Sequence, residues 1–344
     1  MGLLSYIDFG MSGSPVPSSP RLASLDIVKG LLVLTMVFYH SLNYSSEYYL
    51  AFRYLSFLPP SFIFITGYLV IALYPARYAE NRRKMYVRLI SRGVRLVVIF
   101  ALLNLGGLAL VKRLHPLDVL AIMRANSFDI FVIGSGRSAI FEVLLPIGYF
   151  LVLSPVVLAL HAWGRWPLLL VAGLGIAGTA VLNRSGFSPG NLNLLMAGVL
   201  GAAAATLVGM GQLTGSRGRL LALGAGFAVY EMVGRKWGHV FEVQLLGATL
   251  AVFFSLAVGQ VASAQAWVVR RIIFLGQYSL LAYILQIGIL QSILRIVGRP
   301  APWSLPFYFW MIVTTLLMVL AIEATANLRR GSPISDRLYR AVFA

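Results

Sequence analysis

The chain has 344 residues, 59% of them hydrophobic and only 11% charged. A soluble domain of this length carries about a quarter of its residues as charges. This chain cannot supply that surface, so lipid must be its main solvent. The net charge is 28 − 11 = +17. Most of the basic residues sit in short gaps between apolar runs, which fits membrane topology and gives no reason to expect nucleic acid. No cysteine is present, which excludes disulfides and thiolate metal sites, and no metal is expected.

Residues 1–20 end in a Gly-, Ser- and Pro-rich stretch and read as a flexible tail. Ten apolar runs then follow, at about 24–44, 54–75, 90–111, 138–160, 166–182, 191–210, 219–234, 241–262, 272–295 and 303–326. Each approaches the ~20 residues a spanning helix needs, although 219–234 is short and rich in Ala and Gly. The expected fold is all-α, a polytopic bundle of about ten transmembrane helices. With the N-terminus inside, fifteen basic residues fall in inner segments and ten in outer ones. That bias places both termini on the cytoplasmic side. The expected organisation is a tail (1–20), a transmembrane domain (21–326) and a basic cytoplasmic tail (327–344). The long outer segment, 112–137, holds Leu117-Asp118-Val119-Leu120 and Ile130-Phe131-Val132-Ile133 as interfacial or re-entrant pieces.

Charged side chains inside such runs each need a reason. Run one carries Lys29 near its start and His40 eleven positions later. At about 100° per residue the two fall within roughly 20° of one face, about 16 Å apart along the axis. Asp26, three residues before Lys29, can pair with it, and Gly30 leaves room beside it. By themselves Lys29 could snorkel to lipid phosphate and His40 could be a helix-end residue. Run three opens with Arg88, Arg92 and Arg95 on one face. Arg92 and Arg95 go deepest and suit a phosphorylated ligand or positive-inside anchoring. Glu142, at the outer end of run four, is expected at the depth of His40, where it could orient that histidine or pair with Arg137. Gln286 in run nine reads as interhelical hydrogen-bond glue. Glu323, His115, His161 and His239 read as structural.

The pattern Arg21-x-x-Ser24-Leu25-Asp26-x-x-Lys29-Gly30, with His40 ten positions after Gly30, resembles the opening signature of the acyltransferase-3 superfamily. It is also similar to the heparan-α-glucosaminide N-acetyltransferase and glucan succinyltransferase branches. Pro60-Ser61-Phe62-Ile63-Phe64-Ile65-Thr66-Gly67-Tyr68 is similar to their second-helix block, and Arg92-Gly93-Val94-Arg95 to their third-helix arginine pair. Phe274-Leu275-Gly276-Gln277-Tyr278-Ser279-Leu280-Leu281-Ala282-Tyr283 resembles their late block. Two departures stand out. Lys29 takes the place of a commoner arginine. Gln286 stands where the late block usually ends in histidine, so it can hydrogen-bond but cannot act as a base. Residues 160–270 match nothing in the family.

The resemblance implies an acyl-CoA-dependent acyltransferase of the cell inner membrane. Acetyl-CoA or succinyl-CoA would be the donor and a glycan or sugar on the outer side the acceptor. Lys29, Arg92 and Arg95 would hold the donor's phosphates. His40 would be the base or a transient acyl carrier, with Glu142 orienting it. Asn43, Tyr44, Tyr278 and Gln286 would meet the substrate. A transporter or flippase for a lipid-linked or acidic solute is the competing class, because buried charges also suit a solute pathway. The sequence leaves open whether the chain acts alone or as a homodimer.

Overall fold

In the computed structural model, the described residues are 23–47, 49–112, 118, 121, 124–134, 141–208, 216–262 and 265–343, and all regular structure among them is helical. The expected tail 1–20, Arg21 of the signature, Arg137, His115 and most of the Leu117–Leu120 piece lie outside them. The helices are α1 (Ala23–Asn43), α2 (Tyr49–Leu55), α3 (Leu58–Ala72), the single turn α4 (Tyr74–Arg77) and α5 (Arg82–Lys112). After a short π-helix, Phe128–Ile133, come α6 (Leu144–Ala162), α7 (Arg165–Arg184), α8 (Gly190–Leu207), α9 (Arg217–Trp237) and α10 (Phe241–Val261). The chain continues through α11 (Trp267–Gln277), α12 (Ser279–Val297), α13 (Leu305–Gly331) and α14 (Pro333–Phe343).

Eight of these helices are long and apolar enough to cross a membrane: α1, α5, α6, α7, α8, α10, α12 and α13. The pair α2 and α3, bent by 46° between them, makes a ninth if counted as one span. The run 54–75 is therefore two helices, with Pro59 and Pro60 in the first turn of the second, where a missing N–H costs nothing. The run 272–295 is also two helices, α11 and α12, meeting at Tyr278. The weak run 219–234 forms a full 21-residue helix, α9. Arg217, Arg219, Glu231, Arg235 and Lys236 keep it out of the apolar set.

Lipid as solvent explains what the bundle leaves uncovered. Helix α5 exposes Val87, Val94, Val98 and Leu102, and α13 exposes Phe309, Ile312, Leu316 and Leu320. Apolar stripes of this length on isolated helices would aggregate in water and are satisfied by hydrocarbon. Inside, α1 is the most enclosed of the eight spans. It packs against α2, α3, α10, α11, α12 and α13. Lipid supplies no hydrophobic drive between helices, so close van der Waals fit has to hold them. At the α3–α8 contact a Cβ on Gly67 would lie 1.8 Å from the Gly198 carbonyl oxygen, and one on Gly201 would lie 2.0 Å from that of Phe64. Only glycine lets these two backbones meet.

The segment 112–137, expected at the interface, is described only in part. Ile130-Phe131-Val132-Ile133 closes the π-helix, and the Asn191 side chain donates to the carbonyls of Ile130 and Phe131, at 3.0 and 3.2 Å. The piece is thus tied to the start of α8. The expected C-terminal tail carries helix α14, whose Asp336 bonds Arg329 of α13 at 2.8 Å.

Candidate functional site

Helix α1 places its polar residues at two ends of the bundle. At one end, Asp26 Oδ1 and Lys29 Nζ are 2.5 Å apart, one helical turn along the same face. The room beside Gly30 is taken by another helix. Its Cβ would lie 2.1 Å from the Ile272 carbonyl oxygen, and a Cβ on Gly276 would lie 1.8 Å from that of Asp26. Helices α1 and α11 therefore cross in backbone contact directly beside the Asp26–Lys29 pair. Tyr278, just after this crossing, accepts a hydrogen bond from Arg329 at 3.0 Å. The Arg329 guanidinium also lies 3.9 Å from the centre of the Tyr339 ring. Tyr278 thus belongs to the Lys29 end. The late block spans the helix break, so Gly276 and Tyr278 lie at the Lys29 end while Tyr283, further along α12, reaches the His40 ring.

The Arg329–Asp336 bond is the centre of this clasp, and Arg340 adds a second ion pair to the same carboxylate. The Arg329 hydrogen bond, helped by Arg340, holds the Asp336 carboxyl below its usual range against the opposing effect of desolvation. A carboxyl with a lowered folded pKa contributes stability above its unfolded value and loses it as pH falls through the folded one. Amide exchange across α14 should therefore be slow at neutral pH and accelerate below about pH 4. Asp336→Asn should exchange fast at both.

The arginines of α5 occupy a separate surface. Arg92 Nη1 donates to the Tyr74 hydroxyl at 2.6 Å, and Arg95 Nη1 to the Arg340 carbonyl at 3.2 Å. With Arg83, Lys84 and Arg88 they line an open groove of 530 Å³ that has no acidic residue in its wall. Lys29 does not line this groove. The three cations expected to act on one ligand are therefore two groups: Arg92 and Arg95 in the groove, and Lys29 tied to Asp26. Arg83, Lys84 and Arg88 are members that residue-by-residue reading assigned to anchoring alone.

At the other end of α1, His40 is 8% exposed, and neither Nδ1 nor Nε2 has a hydrogen-bond partner. Its ring stacks on Tyr44 at a centroid distance of 6.0 Å and lies 6.0 Å from the Tyr283 ring. Tyr39 meets it edge-on at 5.3 Å. The Tyr44 hydroxyl accepts from the Gln291 amide at 3.0 Å, which ties the end of α1 to α12. Gln286, one turn beyond Tyr283, is 1% exposed with both amide atoms unpartnered. Thr314 of α13 is fully buried and its hydroxyl is unpartnered as well. Gln286 is thus not interhelical glue: it makes no hydrogen bond. Asn43, the last residue of α1, is half-buried.

Glu142 stands just before α6, after Phe141, whose φ of 65° turns the chain sharply. It makes no hydrogen bond to either nitrogen of His40. Its charge acts instead on Tyr39, Tyr44 and Tyr283, the rings that surround the imidazole. The side chain keeps a water-exposed edge, yet the protein packed around it pushes its carboxyl up to about 7. Phe141 packs edge-on against Tyr283 at 5.8 Å, so Glu142 is carried to this end by its neighbour. Sequence reading missed Tyr283 and Gln291 as members of the site. Both sit in an apolar block where helical spacing alone gives no sign of which helix they face.

Buried polar atoms without partners are rare and cost about 1–3 kcal/mol each. His40 on α1, and Gln286 on α12 one turn from the Tyr283 ring that flanks it, are two such side chains, and together they mark a place built for something polar. Comparison of the chain with known protein families, with curated proteins and with solved structures finds no match.

Proposed function

We propose that the protein is an acyl-CoA-dependent membrane acyltransferase. Acetyl or succinyl would be moved from a cytoplasmic donor to the hydroxyl or amine of a glycan on the far side of the cell inner membrane. The observation that carries this reading is the buried His40 imidazole with two unpartnered nitrogens and tyrosines on three sides. A neutral imidazole of this kind is a suitable proton acceptor. In this reading α9 joins the nine apolar spans, with α2 and α3 counted as one, to make a set of ten, with both termini cytoplasmic, as the charge bias favours.

His40 takes the proton from the acceptor hydroxyl as its oxygen attacks the thioester carbonyl. The carbon–sulfur bond then breaks, and the departing thiolate takes that proton from the imidazolium, leaving free CoA thiol and the acylated acceptor. Gln286 supplies hydrogen bonds to the reacting groups. The alternative order, with the acyl group resting on His40, needs the same residues. At the cytoplasmic end the α5 groove takes the donor's phosphates, Arg92 and Arg95 foremost, because guanidinium binds phosphate through two parallel hydrogen bonds.

The test is release of free thiol by the purified protein from acetyl-CoA or succinyl-CoA, with glycan acceptors present and absent. Acceptor-dependent release supports the reading. Solute uptake into vesicles with no thiol release under any acceptor would instead support a transporter. Arg92→Gln with Arg95→Gln should raise KM for the donor about tenfold or more with kcat nearly kept, since the two guanidinium groups grip the phosphates equally in the ground and transition states. A fall in kcat at unchanged KM would remove the groove from donor binding.

A further inference from the structure

A second cavity, of 590 Å³, lies between α1, α2, α9 and α10. Leu31, Leu32, Thr35 and Phe38 form its α1 wall. At 100° per residue these four span an arc of about 120°, whose centre lies roughly 140–150° from His40. The cavity is therefore a different site from the one around His40, and the chemistry proposed above does not use it.

Its polar equipment is two charges of opposite sign, Glu231 and Arg235, one turn apart on α9. They do not form an ion pair with each other within 4.0 Å. Glu231 Oε1 is shielded and has no hydrogen-bond partner. The Arg235 guanidinium sits over the Tyr54 ring, 5.4 Å from its centre, at the mouth of the cavity beside Trp303. Apart from the Thr35 and Ser255 hydroxyls, the rest of the wall is hydrocarbon and aromatic. Two opposite charges held apart in an apolar groove match a ligand that carries a cation and an anion on one short arm and an apolar body behind it. The orphan carboxylate oxygen selects the cation further. It needs an N–H donor, which a primary ammonium has and a trimethylammonium lacks. The anion that guanidinium prefers is phosphate. The cavity is partly open, and two of its walls, α1 and α10, are helices long and apolar enough to cross a membrane.

We propose that this groove binds the headgroup of an ethanolamine-type phospholipid, its ammonium on Glu231 and its phosphate on Arg235, with an acyl chain along the α1 wall.

Two lipids differing in one charge provide the test. Dioleoyl phosphatidylethanolamine and its N-acetylated derivative share chains and phosphate, but the second has no ammonium. Binding to the delipidated full-length protein in detergent can be followed by Trp303-sensitive fluorescence and by native mass spectrometry. The wild-type protein should hold the free amine about tenfold tighter or more, because the ammonium–carboxylate ion pair is lost in the derivative, which keeps only a neutral amide N–H. Glu231→Gln should abolish the preference, and Arg235→Gln should weaken both lipids together. Equal binding of the two lipids by wild-type protein overturns the proposal, and needs no variant to be folded. A preference that persists in Glu231→Gln overturns it as well.

Discussion

Replacing His40 by alanine should lower acceptor-dependent thiol release by about 10²–10⁴-fold, the range that a general base contributes. The loss should fall on kcat, with the donor's KM unchanged, because the groove proposed to hold its phosphates is on α5 and shares no residue with the imidazole's surroundings. His40→Gln is the informative companion. It fills the same space and keeps a hydrogen-bonding group but cannot take the proton, so it should be as inactive as alanine while keeping the wild-type Tm. A His40→Gln protein with half of the wild-type rate would remove the base role and leave His40 as a packing residue. Tyr283→Phe separates positioning from chemistry. The ring that flanks the imidazole is kept, so a loss of less than about tenfold is expected.

The second large effect is on stability. Gly276→Val puts a Cβ 1.8 Å from the Asp26 carbonyl oxygen, an approach that no rotamer can relieve. Helices α1 and α11 must separate, and the Asp26–Lys29 pair is drawn apart with them. Overpacking of this kind costs about 3 kcal/mol or more when backbone has to move. At about 2–4 °C per kcal/mol, Tm should fall by roughly 10 °C in a thermal-unfolding scan in detergent. Gly288→Ala is the control, because nothing lies within 4 Å of its added Cβ. The replacement gains helix propensity of up to about 1 kcal/mol, so Tm should hold or rise. If both variants melt alike, the α1–α11 crossing is not what holds this end of the bundle.

These two expectations rest on features that the sequence displays unequally. The apolar runs are plain, because spanning segments need a composition that little else produces, and most of the expected helices are present. Asp26 and Lys29 are legible as a pair because they are neighbours on one helix, where spacing fixes geometry. The breaks inside runs are hidden. Gln277, Tyr278 and Ser279 interrupt the run only briefly between Leu275 and Leu280, and a hydropathy average over a whole span does not register so short a break. The position of His40 near the end of its helix is legible because α1 is unbroken. Glu142 shows a third limit. Its proximity to the tyrosine cluster is readable from topology, but the absence of a hydrogen bond to His40 depends on side-chain placement between helices. The grouping of Arg92 and Arg95 with Arg83, Lys84 and Arg88, apart from Lys29, is likewise a fact of packing.

The clasp at the Lys29 end has a consequence for the order of assembly. Arg329 is held between Tyr278 and Tyr339, and Asp336 and Arg340 complete the arrangement. Three stretches of chain meet there, and the one that locks the other two is synthesised after both. Spans enter the bilayer in the order they leave the ribosome, and earlier elements are free to settle while later ones are still being made. Until Asp336 and Tyr339 emerge, α12 and α13 are tied at this end by the Arg329–Tyr278 bond and their own packing. A nascent chain should therefore already contain the His40 cluster, built around α1 and α12, before its Lys29 end is fully fastened. The last part of that fastening is made by α14, after the helices it clasps.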